Sequence, residues 1–154
     1  MPKIDIPEWT HHESEPNPLT GQDDGAYGEK VLGKLAGLSG LGVRMEMLPP
    51  GSASSHRHWH ETEDEFLLML SGELVLVEDE ETILRAGDCA AWKAGSPVGH
   101  CLQNRSSENA AYLIVGANAE QDKVHYPDHD VTLHRDGDKR SFTRLDGTPI
   151  VTSE

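Results

Sequence analysis

Apolar and polar residues along this chain alternate in short runs, not at helical spacing. Val43, Met45 and Met47 alternate with Arg44 and Glu46, the pattern of a half-buried strand. "DEFLLMLSGE" closes at Ser71-Gly72, and "ELVLVEDEETILRAGD" reads as two strands around an acidic tip. "CAAWKAG", "HCLQNRS" and "AAYLIVG" add further short strands. Turn signals recur about every 8–12 residues without a sustained 3.6-residue period, which predicts an all-β sandwich or barrel. Residues 1–41 read as an irregular N-terminal arm, with Pro7, Pro16 and Pro18, and with Gly33, Gly37 and Gly40 breaking any helix. Residues 42–116 read as the barrel core. Residues 117–154 read as a polar arm with a terminal hairpin, Asp136-Gly137 at its tip. A chain of 154 residues accommodates all of this as one domain.

Charge removes several classes of function. A formal net charge of −14 argues against a nucleic-acid partner, which needs clustered Lys and Arg, and against an anionic membrane surface. No apolar run approaches the length that crosses a bilayer, and the first residues carry acids and prolines where a signal peptide needs an apolar segment. Cys89 and Cys101 form no disulfide framework and no C-x-x-C pair. Together these features predict a cytoplasmic protein. The glycine-rich stretch before Met45 lacks both the G-x-G-x-x-G order and the Lys-Ser/Thr pair of a phosphate-binding loop.

The chemistry is concentrated in "SSHRHWHETEDEFLLML", residues 54–70. In a strand, His56, His58 and His60 share one face, because alternate residues point the same way. Imidazoles on one face beside a carboxylate cluster form a metal-ligand set by geometry. Of the neighbouring acids, Glu65 is fused to the apolar run and is carried inward with it, while Glu61, Glu63 and Asp64 read as surface charges. A further ligand must come from elsewhere, and "AGSPVGHCLQN" offers His100 at a strand start. His11, His12, His125, His129 and His134 lie in polar arms and read as solvated, although His125 and His129 in "VHYPDHD" could fold back over a pocket.

These residues resemble the two motifs of a small single-domain cupin, a double-stranded β-helix of jelly-roll type. Gly51, His58, His60, Glu65 and Gly72 match the first motif; Gly87, Gly95, His100 and Asn104 match the second. The resemblance covers Gly42 to Gly116, and the flanking "YPDHD…DG-x-P" looks similar to an uncharacterised bacterial subgroup. It implies a divalent transition metal on His58, His60, Glu65 and His100, with iron or manganese preferred and zinc, nickel, cobalt or copper compatible with the same donors. It also implies a small polar organic substrate and an enzyme, a dioxygenase (an oxidoreductase) first, an isomerase or lyase next. The alternative is a non-catalytic barrel that binds a small molecule or a metal. His56 and Tyr112 are candidates for proton transfer, His56 from the ligand face of its strand; Tyr112 is otherwise a core aromatic.

The opening stretch also predicts assembly. If Glu65, Leu67 and Met69 point inward, then Phe66, Leu68 and Leu70 face outward, all large and apolar. Such a patch is rare on a monomer, so a twofold homodimer with Phe66 and Leu68 at its interface is expected unless the N-terminal arm covers them.

Overall fold

A computed structural model describes residues 3–152. The N-terminal segment is more ordered than expected. It contributes β1 (Thr10–His12) and β2 (Tyr27–Val31), then one helical turn, α1 (Leu32–Leu35), before β3 (Leu41–Leu48). The central strands are β4 (Trp59–His60), β5 (Glu65–Ser71), β6 (Glu73–Val77), β7 (Glu81–Arg85) and β8 (Cys89–Trp92). Then follow β9 (Cys101–Gln103), β10 (Ala110–Ala117), β11 (Gln121–Tyr126), β12 (Val131–Asp136), β13 (Lys139–Thr143) and β14 (Pro149–Ile150). The chain is all-β, as the alternation predicts.

The strands form three antiparallel sheets: β1-β2-β3-β10-β5-β8, β14-β13-β12-β11-β4 and β7-β6-β9. Order in the N-terminal arm has a simple cause. Backbone groups of Gly28–Val31 need partners, and the free edge of β3 supplies them, Gly28 opposite Met47 and Val31 opposite Arg44. The expected hairpin is present: β12 and β13 pair from Asp136–Lys139 outward, and Gly137 takes φ +58° at the turn. The sheet work does not stop at residue 116, because β11 pairs with β4 and lays Val124 opposite His60.

The core is built from alternate residues of the central strands. Leu48, Leu67, Met69, Leu74, Leu84, Leu102, Ala110 and Tyr112 pack there, and truncating one such leucine to alanine costs about 2–5 kcal/mol. Gly72 joins β5 to β6 at φ +74°, where a Cβ would sit 2.7 Å from the carbonyl oxygen of Asn109. Only glycine fits that turn.

β3 forms as predicted, but its polar residues are the ones that turn into the barrel. Gly42, Arg44 and Glu46 line the interior cavity, and Met45 lies in the outer row opposite Leu113 and Lys30. A barrel that encloses a polar cavity reverses the usual sense of an amphipathic strand.

Candidate metal centre

His58 and His100 form an isolated antiparallel bridge, which sets both imidazoles on the cavity side with ring centroids 5.0 Å apart. His60 lies two residues on, at the end of β4, its ring centroid 5.1 Å from that of His58. Glu65 opens β5 and reaches across to both neighbours: Oε2 is 2.8 Å from His100 Nε2 and Oε1 is 3.6 Å from His60 Nε2. Ligand atoms of His58, Glu65 and His100 all lie within 4.8 Å of one another. His60 is tied to that group through Glu65.

Each ring is oriented through its other nitrogen. His58 Nδ1 donates to the backbone carbonyl of His56 at 2.9 Å, and His60 bonds the Asp122 carboxylate through Nδ1 at 2.6 Å. His100 Nδ1 points at the Val98 carbonyl at 3.4 Å, and its ring stacks on Trp92 with centroids 3.9 Å apart. Such contacts orient the rings: the Nδ1 bonds of His58 and His60 leave their Nε2 atoms to meet a metal, while His100 Nε2 faces Glu65 Oε2, a second donor of the same group. Burial pushes the His58 imidazole down to about 4, so at neutral pH it is an uncharged donor. Burial also pushes Glu65 up, but the bond from His100 and the surrounding imidazoles outweigh it and hold the carboxyl below its ordinary value. The donor set therefore fits a divalent metal: three imidazoles, that of His58 uncharged, one ionised carboxylate and no lysine on the cavity wall.

Around the cluster lies a cavity of about 360 Å³. Arg44, Glu46, Trp92, Tyr112, Asn118 and Arg135 line the rest of it. Tyr112 is the core aromatic of the second reading, only 2% exposed, and it also lines the cavity, where its hydroxyl donates to Glu46 Oε2. Burial keeps the carboxyl of Glu46 above its ordinary value despite that bond.

His56 is not where strand alternation puts it. Residues 54–57 bend instead of extending, and the His56 ring turns away from the cavity into the N-terminal arm. It is buried there, 2.7 Å from Asp24 Oδ2 through Nδ1 and 2.6 Å from Thr20 Oγ1 through Nε2. Its imidazole is a latch for the arm, and only its backbone carbonyl reaches the site. His129 folds back on His56, at 4.6 Å between centroids, not over the cavity, and His125 stacks on Trp59 and bonds Glu61.

Two acids escape sequence reasoning. Glu63 is buried and paired with Arg135, not a surface charge at a turn. Asp122 has a fully buried side chain and takes two further bonds from Thr62. Burial works to raise its carboxyl, but the bonds from His60 and Thr62 hold it low. Arg135 and Asp122 face each other across β12 and β11, a pairing invisible before the register is known.

A double-stranded barrel with an imidazole–carboxylate cluster lining its cavity is the arrangement of a cupin, and the cluster could hold a metal. The chain belongs to the cupin superfamily. The cupin domain model matches residues 44–116. A cupin-superfamily sugar phosphate isomerase from Silicibacter pomeroyi is 35% identical, with 98% of both chains covered and a TM-score of 0.85. A protein assigned as a sugar phosphate isomerase from Acidithiobacillus ferrooxidans is 24% identical over 83% of this chain and 82% of that one, with a TM-score of 0.76. A polyketide cyclase from Streptomyces resistomycificus is 16% identical over 77% of this chain and 80% of its own, with a TM-score of 0.58. These last two share the fold. No curated protein matches the chain. Among the described residues, no helix is long and apolar enough to cross a membrane.

Proposed function

We propose that this protein is a metal-dependent enzyme that interconverts the aldose and ketose forms of a small phosphorylated sugar. The observation that carries the reading is the make-up of the cavity wall. An imidazole–carboxylate cluster, a second carboxylate (Glu46) and a guanidinium (Arg44) line one space of sugar size. The extensive likeness to the Silicibacter pomeroyi isomerase supports it.

His58, His60, Glu65 and His100 would hold the metal, which would supply a Lewis acid for a carbonyl or hydroxyl oxygen. Arg44 is the group with capacity to take an anion. Among the described residues its Nη1 meets only the carboxylates of Glu29 and Glu46, at 3.7 Å each, too long for hydrogen bonds. Trp92 and Leu67 supply apolar walls against which a sugar ring face or chain can lie.

The second reading is oxidation by dioxygen, because imidazoles with one carboxylate also suit iron. A direct test incubates metal-loaded protein with D-ribose 5-phosphate, D-glucose 6-phosphate and D-mannose 6-phosphate, following the ketose by NMR and oxygen by electrode. Ketose formation without oxygen uptake is the expected result. Oxygen uptake with a small-acid or diketone panel, and no ketose, would favour the dioxygenase. Neither reaction would favour the non-catalytic barrel.

A further inference from the structure

Glu46 is a carboxylate that the fold does not need. Burying one is costly unless partners offset the lost hydration, and an apolar residue at the same point would pack against Leu48 and Tyr112 without that cost. The β3–β10 register sets Glu46 directly opposite Tyr112. Both turn into the barrel, where the Glu46 side chain is 15% exposed and its Oε2 takes the phenol hydrogen bond. Among the described residues no donor hydrogen-bonds Oε1, whose nearest cation is Arg44 Nη1 at 3.7 Å. Glu46 is not among the side chains that converge to hold a metal. One carboxylate oxygen is therefore anchored, and the other is left with spare capacity beside the cluster.

We propose that Glu46 is the base that moves a proton between adjacent carbons of the substrate, with Tyr112 as its positioning residue; this rests on the isomerase reading. In the aldose-to-ketose direction Glu46 removes the hydrogen on C2 as a proton. The C2–H bonding pair becomes the C1=C2 bond, and the carbonyl π pair moves onto O1. The O2 hydroxyl proton passes to O1, the O2 pair forms the new C2=O bond, and the C1=C2 pair takes the proton back from Glu46 at C1. Glu46 ends as it began, and no oxidant or reductant is consumed.

The surroundings suit that task. A base works best when its pKa lies near the working pH, and burial moves the Glu46 carboxyl in that direction. The charged and titratable groups that bear on it are Tyr112 from β10, Arg44 on its own strand, Glu29 from β2 and Glu65 from β5. Tyr112 and Arg44 favour the ionised form, while the two glutamates oppose it.

The test uses metal-loaded protein and the three sugar phosphates in deuterated water, with exchange of carbon-bound hydrogen read by NMR. Glu46→Gln is expected to slow exchange and isomerisation by about 100-fold or more, with metal content and melting temperature unchanged. Glu46→Gln within twofold of an active wild type would overturn the role of Glu46 and leave the isomerase reading standing. A wild type that neither isomerises nor exchanges would overturn that reading, and this proposal with it. Tyr112→Phe should move the acid limb of kcat/KM to higher pH, since the carboxylate loses a hydrogen bond that favours its ionised form. A packing role alone would lower stability and leave that limb in place, which would remove Tyr112 as a positioning residue. A readout free of substrate is the carboxyl stretch of isotope-labelled protein, assigned by its loss in Glu46→Gln. In metal-loaded protein, a Glu46 carboxyl that stays protonated at the pH of activity would overturn the proposal, because only the carboxylate accepts the C2 proton.

Discussion

The backbones of His58 and His100 exchange two hydrogen bonds, His58 N–H to the His100 carbonyl at 3.2 Å and the reverse at 3.0 Å. That bridge is one of several pairings between the two motifs, which the hairpin of β6 and β7 separates along the chain, and it holds their imidazoles side by side. Main-chain pairing arranges the site.

Removing a donor from so ordered a group should remove the metal. His58→Ala, His100→Ala and Glu65→Gln are each expected to abolish stoichiometric metal in protein purified without chelating resin. Elemental analysis checks this, and full metal content in any of them would remove that residue from the ligand set. Stripping metal from the wild type should lower stability by about 3 to 4 kcal/mol when the metal had been present at 100 to 1,000 times Kd.

The metal-free protein should weaken as pH falls, and His58 sets the window. Its folded pKa of about 4 lies below the ordinary histidine value of 6.5, so between these limits the unfolded chain binds a proton that the folded chain does not. The stability contribution is present above pH 6.5 and is lost as pH drops toward 4, by about 1.4 kcal/mol per pH unit. Glu65, held low, adds a loss of the same sign at the acid end. Urea unfolding at pH 7 and pH 5 should differ by roughly 2 kcal/mol, and His58→Gln should abolish most of the difference.

Asp122→Asn should loosen the metal without removing a ligand. The carboxylate grips His60 Nδ1 at 2.6 Å, and its own environment keeps it ionised. An amide can offer only a neutral acceptor in that place. Metal affinity should fall about 10- to 100-fold, measured by competition with a chromogenic chelator. Unchanged affinity would show that the His60 ring is held by packing alone.

Arg44→Gln should separate recognition of phosphate from chemistry. The variant is expected to raise KM for a sugar phosphate about tenfold or more, with a much smaller change in kcat, since a charge-assisted contact to an anion contributes about 1.5–3 kcal/mol. An unchanged KM would place phosphate recognition elsewhere, with Arg135 the next candidate on the wall.

The outer face of the large sheet should join two copies of the chain. Phe66 lies opposite Val115 and Ala91, and Leu68 opposite Leu113 and Cys89, giving a continuous apolar surface. The N-terminal arm extends the sheet beyond β3 instead of covering β5, and Phe66 remains 43% exposed and Leu70 39%. We propose a twofold dimer through this face, so light scattering at low micromolar concentration should return twice the 16.9 kDa chain mass. Phe66→Glu should shift that value toward the monomer, and a wild-type monomer would rule the dimer out.

The barrel and its imidazole–carboxylate group were legible in the residues alone. Alternation, turn glycines and the spacing of His58, His60, Glu65 and His100 are short-range facts, and the bridge and the Glu65 contacts bring those four side chains together. The failures share one origin. A period of two says that a strand has two different faces, but not which of them meets a cavity, and so Arg44 and Glu46 read as an ordinary polar face while lining the interior. The period presupposes an extended backbone, and the bend at residues 54–57 sent the His56 ring to Asp24 instead. Asp122, Glu63 and Arg135 took their roles from partners far along the chain, through the β11–β12 and β11–β4 registers. Sequence by itself determined which donors exist and how they are spaced; long-range strand pairing decided what orients them and what faces them across the cavity, because register is set by the packing of the whole barrel and not by any one segment.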